Sequence, residues 1–424
     1  MGHIRALSVA RADAVFASGP SGSYARAVRR IISLLPAVGL LGSACSYYDT
    51  SLLEPTGPSG GDAGKDASVE AGQDADPEAS DVGQPDTPET DSPGPDTATC
   101  GHARPPDPPT SSTGGGDIDF VVAVDSVDFG DESGTPEQIG YDLDSRCTCL
   151  GEGNSCLRES WATADACDGP EGRDNAAGDL MTKLSPLFSG FGSSAWSQQA
   201  KEGAWSILLR IRGYNGEAND DQVRLDWYVP EQYWEDKAED EVPPAWDGND
   251  AWPIRATSLV DADGGEQSVD EPKYFDLHAY VTDGVLVASF PESAFQVSDN
   301  YLLQFVGSFI TARVVSTAQG WALEDGMLAS RWTLKSILAQ ISRLSIMNMP
   351  VCTTHIAYSS LKAEFCSRAD IYSGVGTPTT PCDSMSSGMK FSARPAKLGT
   401  VMEQQPVVNP CEPSVDPAND SCGS

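Results

Sequence analysis

Alternation of hydrophobic and polar residues with a period of two dominates the chain from Asp117 onward, which is the pattern of half-buried β-strands. In one such stretch Ile207, Leu209 and Ile211 share a face. Most intervening segments are short and rich in turn-forming residues, so antiparallel pairing is favoured over a parallel sheet. The pattern predicts strands at 118–129, 205–212, 223–227 and 309–315, and hairpins within 274–290 and 321–332 that turn at 282–284 and 324–326.

Helical periodicity appears in a few segments. After Thr333, a suitable N-cap, apolar residues recur at the i, i+3, i+4 and i+7 positions from Leu334 to Leu344. Two further helices are predicted at 355–370 and 174–188, the second with Asp174 as a candidate N-cap. The fold class is therefore predicted as mainly β, an antiparallel β-sandwich-like domain over residues 117–424 with a few helices.

The first 44 residues predict a signal peptide. The positive charges of Arg29 and Arg30 precede the apolar stretch Ile31–Leu41, and this order is typical of secretion signals. The apolar stretch is too short to span a bilayer. The residues before Val28 do not fit the pattern, so a translation start near Val28 is an alternative to one at the first residue.

The small residues Gly42, Ser43 and Ala44 lead to Cys45, an arrangement that resembles the signal of bacterial lipoproteins. The resemblance implies cleavage before Cys45 and lipidation of its thiol, with the lipid holding the chain to a membrane. Ser46 follows the cysteine, which in that family favours the outer membrane or cell surface. The alternative is an ordinary signal cut near Ala44, which leaves Cys45 as a thiol.

Residues 45–116 are predicted to be a disordered acidic linker. They consist largely of Asp, Glu, Pro, Gly, Ser, Thr and Ala, and such a segment buries too little apolar surface to offset chain entropy. The whole chain has 62 acidic and 27 basic side chains, a formal net charge of −35. This charge excludes nucleic acid as a partner, because phosphate binding needs clustered Lys and Arg. The linker is predicted to act as a tether.

The 11 cysteines indicate an oxidising compartment. With Cys45 assigned to the anchor, the others are disulfide candidates, and their spacing does not match the paired knuckles of zinc sites. We expect at least one bridge between the group at 147–167 and the group at 352–422, and a bond from Cys100 to the domain. The candidates are Cys100, Cys147, Cys149, Cys156, Cys167, Cys352, Cys366, Cys382, Cys411 and Cys422.

Acidic and amide side chains spaced by glycines around the first cysteines predict a Ca²⁺ site, since this ion takes 6–8 oxygen ligands. The register of an EF-hand loop is not present. The alternative is turn and helix-cap chemistry, for which Asp and Asn are the usual residues. The candidate ligands are Asp142, Asp144, Asp168, Asp174 and Asn175.

Aromatic residues flanked by carboxylates between Asp226 and Trp252 predict a ligand-binding surface. Such rings supply a stacking plane for a sugar or a cationic group, and the acids accept hydrogen bonds. The alternative, favoured by the number of Trp residues in the domain, is that the rings belong to the core. The candidates are Trp227, Tyr228, Trp234, Trp246 and Trp252.

Residues with catalytic potential are few. The sequence has no His-Glu-x-x-His motif, Walker A loop or dinucleotide fingerprint. Outside the signal and linker the histidines are His278, in a predicted strand, and His355, near a predicted helix start. No catalytic residue is assigned, and an enzyme is the less favoured interpretation. The alternative function is a secreted glycoside hydrolase that uses a pair of carboxylates.

Four short motifs occur together: Gly-Tyr-Asp-Leu-Asp at 140–144 with Cys-Thr-Cys at 147–149, Asp-Asn-Ala at 174–176, Gly-Tyr-Asn-Gly at 213–216 and Asp-Gly-Met-Leu at 325–328. They resemble a family of secreted lipoproteins encoded in myxobacterial genomes. The resemblance implies an extracytoplasmic domain over most of 117–400 and no catalytic residues. We therefore expect a lipid-anchored, non-catalytic binding or structural module, with Ca²⁺ as a stabilising ion and a glycan or surface protein as candidate partner.

Overall fold

A computed structural model describes residues 100–423 apart from 112–113, 187–189, 236–240, 263–265, 298–300, 347 and 404–407. The predicted signal, Cys45 and most of the predicted linker lie outside the described residues. Among the helices that are described, none is both long enough and apolar enough to cross a membrane.

The domain is mainly β, as predicted, with 39% strand and 17% helix. Strands form wherever the alternation is sustained, and the predicted hairpin at 282–284 joins two of them. The strands are β1 (Ile118–Asp128), β2 (Leu208–Tyr214), β3 (Asp220–Tyr228), β4 (Ala251–Arg255), β5 (Tyr274–Thr282), β6 (Val285–Val297), β7 (Tyr301–Thr317), β8 (Gly320–Thr333), β9 (Ser345–Ile346), β10 (Met349–Pro350) and β11 (Ser384–Met402).

Eight of these strands close into an antiparallel barrel in the order β1-β2-β3-β5-β6-β7-β8-β11, and β11 pairs again with β1. The predicted sandwich is therefore wrong, although its antiparallel pairing is confirmed. Closure depends on β11, whose first part pairs with β8, whose middle pairs with β1 from Lys390 to Ala396, and whose end pairs in parallel with β4. Because the barrel is closed, β1 and β11 each have a paired strand on both sides, and neither has an open edge.

Strand β11 is not predicted from the sequence because its alternation is built from weak strand formers. Met385, Met389 and Phe391 are buried in the barrel core, but Ser and Gly occupy many of the positions between them. Ser and Gly carry little β-propensity, so the apolar period is hard to see in the sequence. Without this strand, the remaining strands form an open sheet, and a sandwich is the natural inference.

The predicted fold-back at Glu324–Gly326 is also wrong, since β8 runs through it. Asp325 has a φ of 51° and the pairing registers with β7 and β11 both shift nearby, so the segment forms a bulge. A Cβ on Gly326 would lie 2.6 Å from the ring of Phe391. Glycine is therefore needed at position 326 because the Phe391 ring packs directly over its Cα, and not because the chain turns there.

Apolar side chains fill the barrel, as expected for eight strands, whose interior is just wide enough for side chains. Leu209, Leu225 and Ile310 are examples, each buried in one large cluster. A cavity of about 20 Å³ lies in the apolar core where α1 and α2 meet the barrel, lined by residues such as Leu180, Trp196 and Trp332. It has room for about one water molecule, which is too little for a sugar.

Four α-helices accompany the barrel. The side chain of Thr333 caps the third helix by accepting a hydrogen bond from the Ser336 backbone, as predicted. Apolar residues of all four helices, such as Leu180 and Trp196, join the barrel core. The helices are α1 (Ala176–Leu184), α2 (Ser193–Lys201), α3 (Leu334–Ile341) and α4 (Tyr358–Cys366).

Two small apolar clusters lie outside the barrel wall. One, which includes Tyr228 and Trp252, covers the outer face of β1–β3 with β4 and the loop that follows it. The other joins Leu143 and Ile371 to Ala329 on β8. Its neighbour Leu328 faces the barrel core, so Ala329 faces outward. The second cluster places the chain around Asp142 on the outer face of β7 and β8.

All ten candidate cysteines are paired. Cys156–Cys382 joins the two groups of cysteines, and Cys100 bonds to the domain, as expected. The backbone of Ala103 also bonds to Glu171 and Asp142. The domain therefore extends at least to Cys100, before the predicted boundary at Asp117. The bridges are Cys100–Cys147, Cys149–Cys167, Cys156–Cys382, Cys352–Cys411 and Cys366–Cys422.

Candidate functional site

Five aspartates gather on the outer face of the barrel where the loops before α1 and after α4 meet β8 and β11. We call this group the carboxylate cage. Three of its members carry carboxylate oxygens within 4.8 Å of one another, namely Asp142, Asp144 and Asp174. Asp142 and Asp174 are buried, with 8% and 3% of their surface exposed. The cage consists of Asp142, Asp144, Asp168, Asp174 and Asp370.

The cage loops are held to the barrel wall by specific contacts. The Tyr141 hydroxyl lies 2.7 Å from the Thr311 hydroxyl on β7, and Leu143 packs against Ala329 on β8. Gly172 has a φ of 72°, and a Cβ there would lie 2.9 Å from the Cys147 sulfur. Only glycine fits this close approach, which brings the 168–174 segment against the 142–147 segment.

Backbone N–H groups orient the cage carboxylates. Leu143 N donates to Asp174 Oδ2 at 2.7 Å. Arg146 N donates to both Asp142 Oδ1 and Asp144 Oδ1, at 3.2 and 2.9 Å. Fixed donors of this kind set the directions of carboxylate oxygens without adding a positive charge.

Asp168 and Asp370 extend the cage on two sides. Thr148 N donates to Asp168 Oδ2 at 2.6 Å. Asp370 accepts from both the backbone N and the hydroxyl of Ser386 on β11, at 2.8 and 2.5 Å. The cage therefore draws on three separate stretches of the chain, which the barrel and the disulfides bring together.

Few basic groups balance these five acids. His102 Nδ1 lies 2.5 Å from Asp142 Oδ2. Arg331 points toward the cage, but its guanidinium donates to the carbonyl oxygens of Leu143 and Gly307. Within the described part of the chain, no Lys or Arg forms an ion pair with the other four cage acids.

The crowding of like charges changes the acidity of the cage. Burial, with the charges of Asp144, Asp370 and Asp142, raises the pKa of Asp168 to about 8. Burial and the neighbouring acids hold the pKa of Asp174 well above its usual range. Burial raises the pKa of Asp370 to about 6, against the hydrogen bonds from Ser386. Desolvation and like charge both disfavour the ionised form, so the site favours either protons or a bound cation.

The donor set suits a hard cation. Carboxylate oxygens bind Ca²⁺ at 2.3–2.6 Å in flexible geometries, and oxygens within 4.8 Å of one another can share one such ion. Cys147 and Cys167 lie close by, but each is in a disulfide and offers no thiolate. The site is therefore an oxygen site rather than a zinc site.

Asn175, the fifth predicted ligand, has a different role. Its Oδ1 accepts from Gly178 N at 3.0 Å and from Gly388 N at 2.7 Å, and its amide donates to Pro136 O. It is the N-cap of α1, so both polar atoms of its side chain already have hydrogen-bond partners, and Asn175 as a ligand stays a prediction. Asp174, predicted as the cap, belongs instead to the cage. The sequence predicted a helix N-cap at this turn correctly, but the capping residue is Asn175 and not Asp174.

The predicted aromatic surface is largely core. Trp227, Tyr228 and Trp252 have 0% exposure, so they offer no face for stacking a ligand. Trp227 donates to Ala294 O at 2.7 Å and Tyr228 to Val269 O at 2.6 Å. Trp234 and Trp246 are partly exposed, and Trp246 packs against Trp252. The alternation on β3 placed these rings on its two faces, and both faces are covered.

Sequence reasoning missed two residues of this site. His102 was assigned to the linker, although its position two residues after Cys100 places it beside the bridge to Cys147. Asp370 follows α4 in a stretch with no metal-ligand spacing, and no local signal marks it. It reaches the cage only because β11 brings Ser386 there.

Comparisons of the chain with protein-family models, with curated proteins and with solved structures gave no match. The resemblance to the myxobacterial lipoproteins therefore stays a prediction.

Proposed function

We propose that the chain is an extracytoplasmic, non-catalytic binding or structural module whose carboxylate cage holds a Ca²⁺ ion. The observation that carries this proposal is the cluster of Asp142, Asp144 and Asp174 oxygens within 4.8 Å, with His102 as the one paired base in the described residues. Buried charges are normally paired or bound to metal, and here the described side chains leave most of the negative charge unpaired.

Calcium is favoured over the other common cations on chemical grounds. Mg²⁺ demands near-ideal octahedral geometry and usually keeps several waters, whereas Ca²⁺ accepts many protein oxygens at irregular angles. The cage offers three carboxylates close enough to share one ion, and Asp168 and Asp370 add negative charge beside them. Soft metals prefer thiolates and imidazoles, and the cage supplies neither apart from His102.

The location proposed for the module rests on its covalent chemistry. Five disulfides in one domain persist in an oxidising compartment and are rare in the cytosol. Lipidation of Cys45 would place this domain on the outer membrane or cell surface, on the acidic linker as a tether. The partner proposed for it there is a glycan or a surface protein.

Calorimetric titration tests the cation proposal. Chelator-treated protein is titrated with Ca²⁺ and, separately, with Mg²⁺, and we expect one site with a preference for Ca²⁺. Asp174→Asn should remove the binding heat. The matched control is Asp270→Asn, an acid that pairs with Arg210 outside the cage, and it should bind normally. Absence of heat together with an unchanged melting temperature in Ca²⁺ would reject the proposal.

Metabolic labelling tests the anchor. Cells grown with radiolabelled palmitate should incorporate label into the wild-type chain and not into Cys45→Ala, which should appear in the soluble extracytoplasmic fraction. Equal labelling of both chains would reject Cys45 as the lipidated residue, and the cation proposal would be unaffected.

A secreted glycoside hydrolase is the second candidate, and one feature favours it. Retaining glycosidases place two carboxyls about 5–5.5 Å apart, with one kept protonated near neutral pH, and the cage combines close carboxylates with an Asp168 whose pKa is about 8. A panel of chromogenic glycosides, assayed with wild type and Asp174→Asn in chelator, separates the two functions. Turnover that the substitution abolishes would replace the binding module with an enzyme.

A further inference from the structure

The Cys149–Cys167 disulfide differs from the other four bridges in its exposure. Both of its cysteines are exposed. Each of the other bridges has at least one buried cysteine, for example Cys147 at 0% and Cys382 at 2% exposure. A reducing thiol has to reach the sulfur it attacks, so this bridge is the most accessible of the five.

The same bridge closes the shortest loop. It spans 18 residues, whereas the others span 47 to 226. In the chain-entropy description a shorter loop gains less stability from its cross-link. Accessibility and loop length therefore both mark Cys149–Cys167 as the bridge that opens first.

This bridge is directly attached to the carboxylate cage. Thr148 N donates to the Asp168 carboxylate, and Asp168 N donates back to Thr148 O at 3.2 Å. Cys149 follows Thr148, and Cys167 precedes Asp168. The disulfide therefore joins the two segments at the positions directly beside the hydrogen-bonded pair Thr148 and Asp168. Among the described residues, the bridge is the covalent tie that keeps Asp168 beside Thr148.

We propose that Cys149–Cys167 is a redox-sensitive lock on the carboxylate cage, which a dithiol reductant opens before the other bridges and which thereby lowers the affinity of the cage for its cation. The inference rests on the proposed cation binding. A thiolate of the dithiol attacks one sulfur, the S–S bond breaks, and the second thiol closes the reductant into a cyclic disulfide. The dithiol supplies both electrons, and its two protons end on Cys149 and Cys167.

Opening the lock weakens the cage without dismantling it. Asp142, Asp144 and Asp174 stay tied through the Leu143 and Arg146 backbone and through the Cys100–Cys147 bridge, whose Cys147 is buried. Only Asp168 loses its clamp. Loss of a supporting group at a metal site typically costs about 10–100-fold in affinity, and a loss in that range is expected here.

Stepwise reduction of the mature chain tests the order of opening. Oxidised protein is treated with increasing dithiothreitol, alkylated with iodoacetamide and digested, and the alkylated cysteines are mapped by mass spectrometry. Cys149 and Cys167 should be alkylated at the lowest concentration. Alkylation of another pair first would overturn the inference, whatever the protein does with Ca²⁺.

Calorimetry on the selectively alkylated protein tests the coupling. Its Ca²⁺ affinity should be about 10–100-fold weaker than that of the oxidised protein. A Cys149→Ser/Cys167→Ser chain should match it, and the control Cys352→Ser/Cys411→Ser should bind like wild type. Unchanged affinity after alkylation would overturn the lock while leaving the cation site intact. No Ca²⁺ binding by the oxidised protein would instead reject the proposed function.

Discussion

Two groups of acids lie on different parts of the barrel exterior and differ in how their charge is balanced. The arginine ladder lies on β1–β3 and the loop before β5, and it consists of Arg210, Arg212 and Arg224 with Asp119, Asp226 and Asp270. In the ladder, Asp226 has 0% exposure and contacts two arginines. In the cage, Asp174 is almost as buried and has no such partner in the described chain.

The electrostatic consequences are opposite in the two regions. The hydrogen bond from Arg210 lowers the pKa of Asp270, whereas burial and like charges raise that of Asp174. Burial alone therefore does not mark a binding site, because the ladder acids are satisfied within the protein. What marks the cage is buried negative charge without enough positive charge around it.

Among the single substitutions, the largest effect is expected in the ladder. Asp226→Asn removes the charge that holds Arg212 and Arg224, and hydrogen bonds to charged groups contribute about 1.5–3 kcal/mol. The free energy of unfolding, measured in urea, should fall by about 2 kcal/mol, with or without Ca²⁺. Asp221→Asn, on the same strand and exposed, is the control and should change little. Unchanged stability in Asp226→Asn would show that the contacts of Asp226 with Arg212 and Arg224 do not stabilise the protein.

Calcium should stabilise the protein through the cage. At a free concentration 100 times its dissociation constant, a ligand that binds only the folded state adds about 2.7 kcal/mol. Thermal unfolding should therefore shift upward in Ca²⁺ and return after chelation. The ladder variant should show the same shift, and Asp174→Asn should show none. Identical melting in Ca²⁺ and in chelator would remove the proposed difference between the two regions.

The cage should also make the metal-free protein less stable as pH rises. The pKa values of Asp168, Asp174 and Asp370 are raised above that of an unfolded Asp, so the folded state binds more protons than the unfolded state between about pH 4 and pH 8. Stability then decreases with pH through that window. Melting curves in chelator should show this fall, and saturating Ca²⁺ should abolish it. A rise in stability over the same window would contradict the raised values.

A single substitution should reverse the ladder result. In chelator, Asp174→Asn removes a like charge and keeps an oxygen for the Leu143 N–H, so the free energy of unfolding should increase. The same substitution in saturating Ca²⁺ should lower it, because the ion loses a ligand. Urea denaturation under the two conditions measures both signs. A decrease in chelator would mean that Asp174 is stabilised by a partner rather than strained by its neighbours.

The sequence predicted the cage better than the barrel. Asp142, Asp144, Asp168 and Asp174 share a stretch in which glycines and cysteines impose sharp turns, so their proximity follows from local chemistry. Asp370 has no such signal, since only the pairing of β11 with β8 brings Ser386 to the same place. Local pattern identifies residues that meet within one loop, and long-range strand pairing decides the rest.

The same limit explains why the sequence left two interpretations open for the aromatic residues. On β3, Val223, Leu225 and Trp227 face the barrel core, and the alternation predicted that face correctly. Tyr228 lies on the other face of the strand, where it packs with Trp252 in a second apolar cluster that covers this side. Periodicity assigns a residue to a face of a strand and contains no information about what covers the face.

The smallest effect is expected where charge is balanced and exposed. Arg313 pairs with Glu324 and Asp325 beside the bulge in β8, and the three side chains are 53%, 50% and 76% exposed. Exposed ion pairs contribute about 0–1 kcal/mol, so Arg313→Ala should change the free energy of unfolding by about 0.5 kcal/mol or less. Urea denaturation beside Asp226→Asn makes the comparison direct, because both variants break an arginine–aspartate contact. If Arg313→Ala lowered the free energy of unfolding as much as Asp226→Asn, burial of an ion pair would not increase its contribution to stability, and the ladder would owe nothing to being buried.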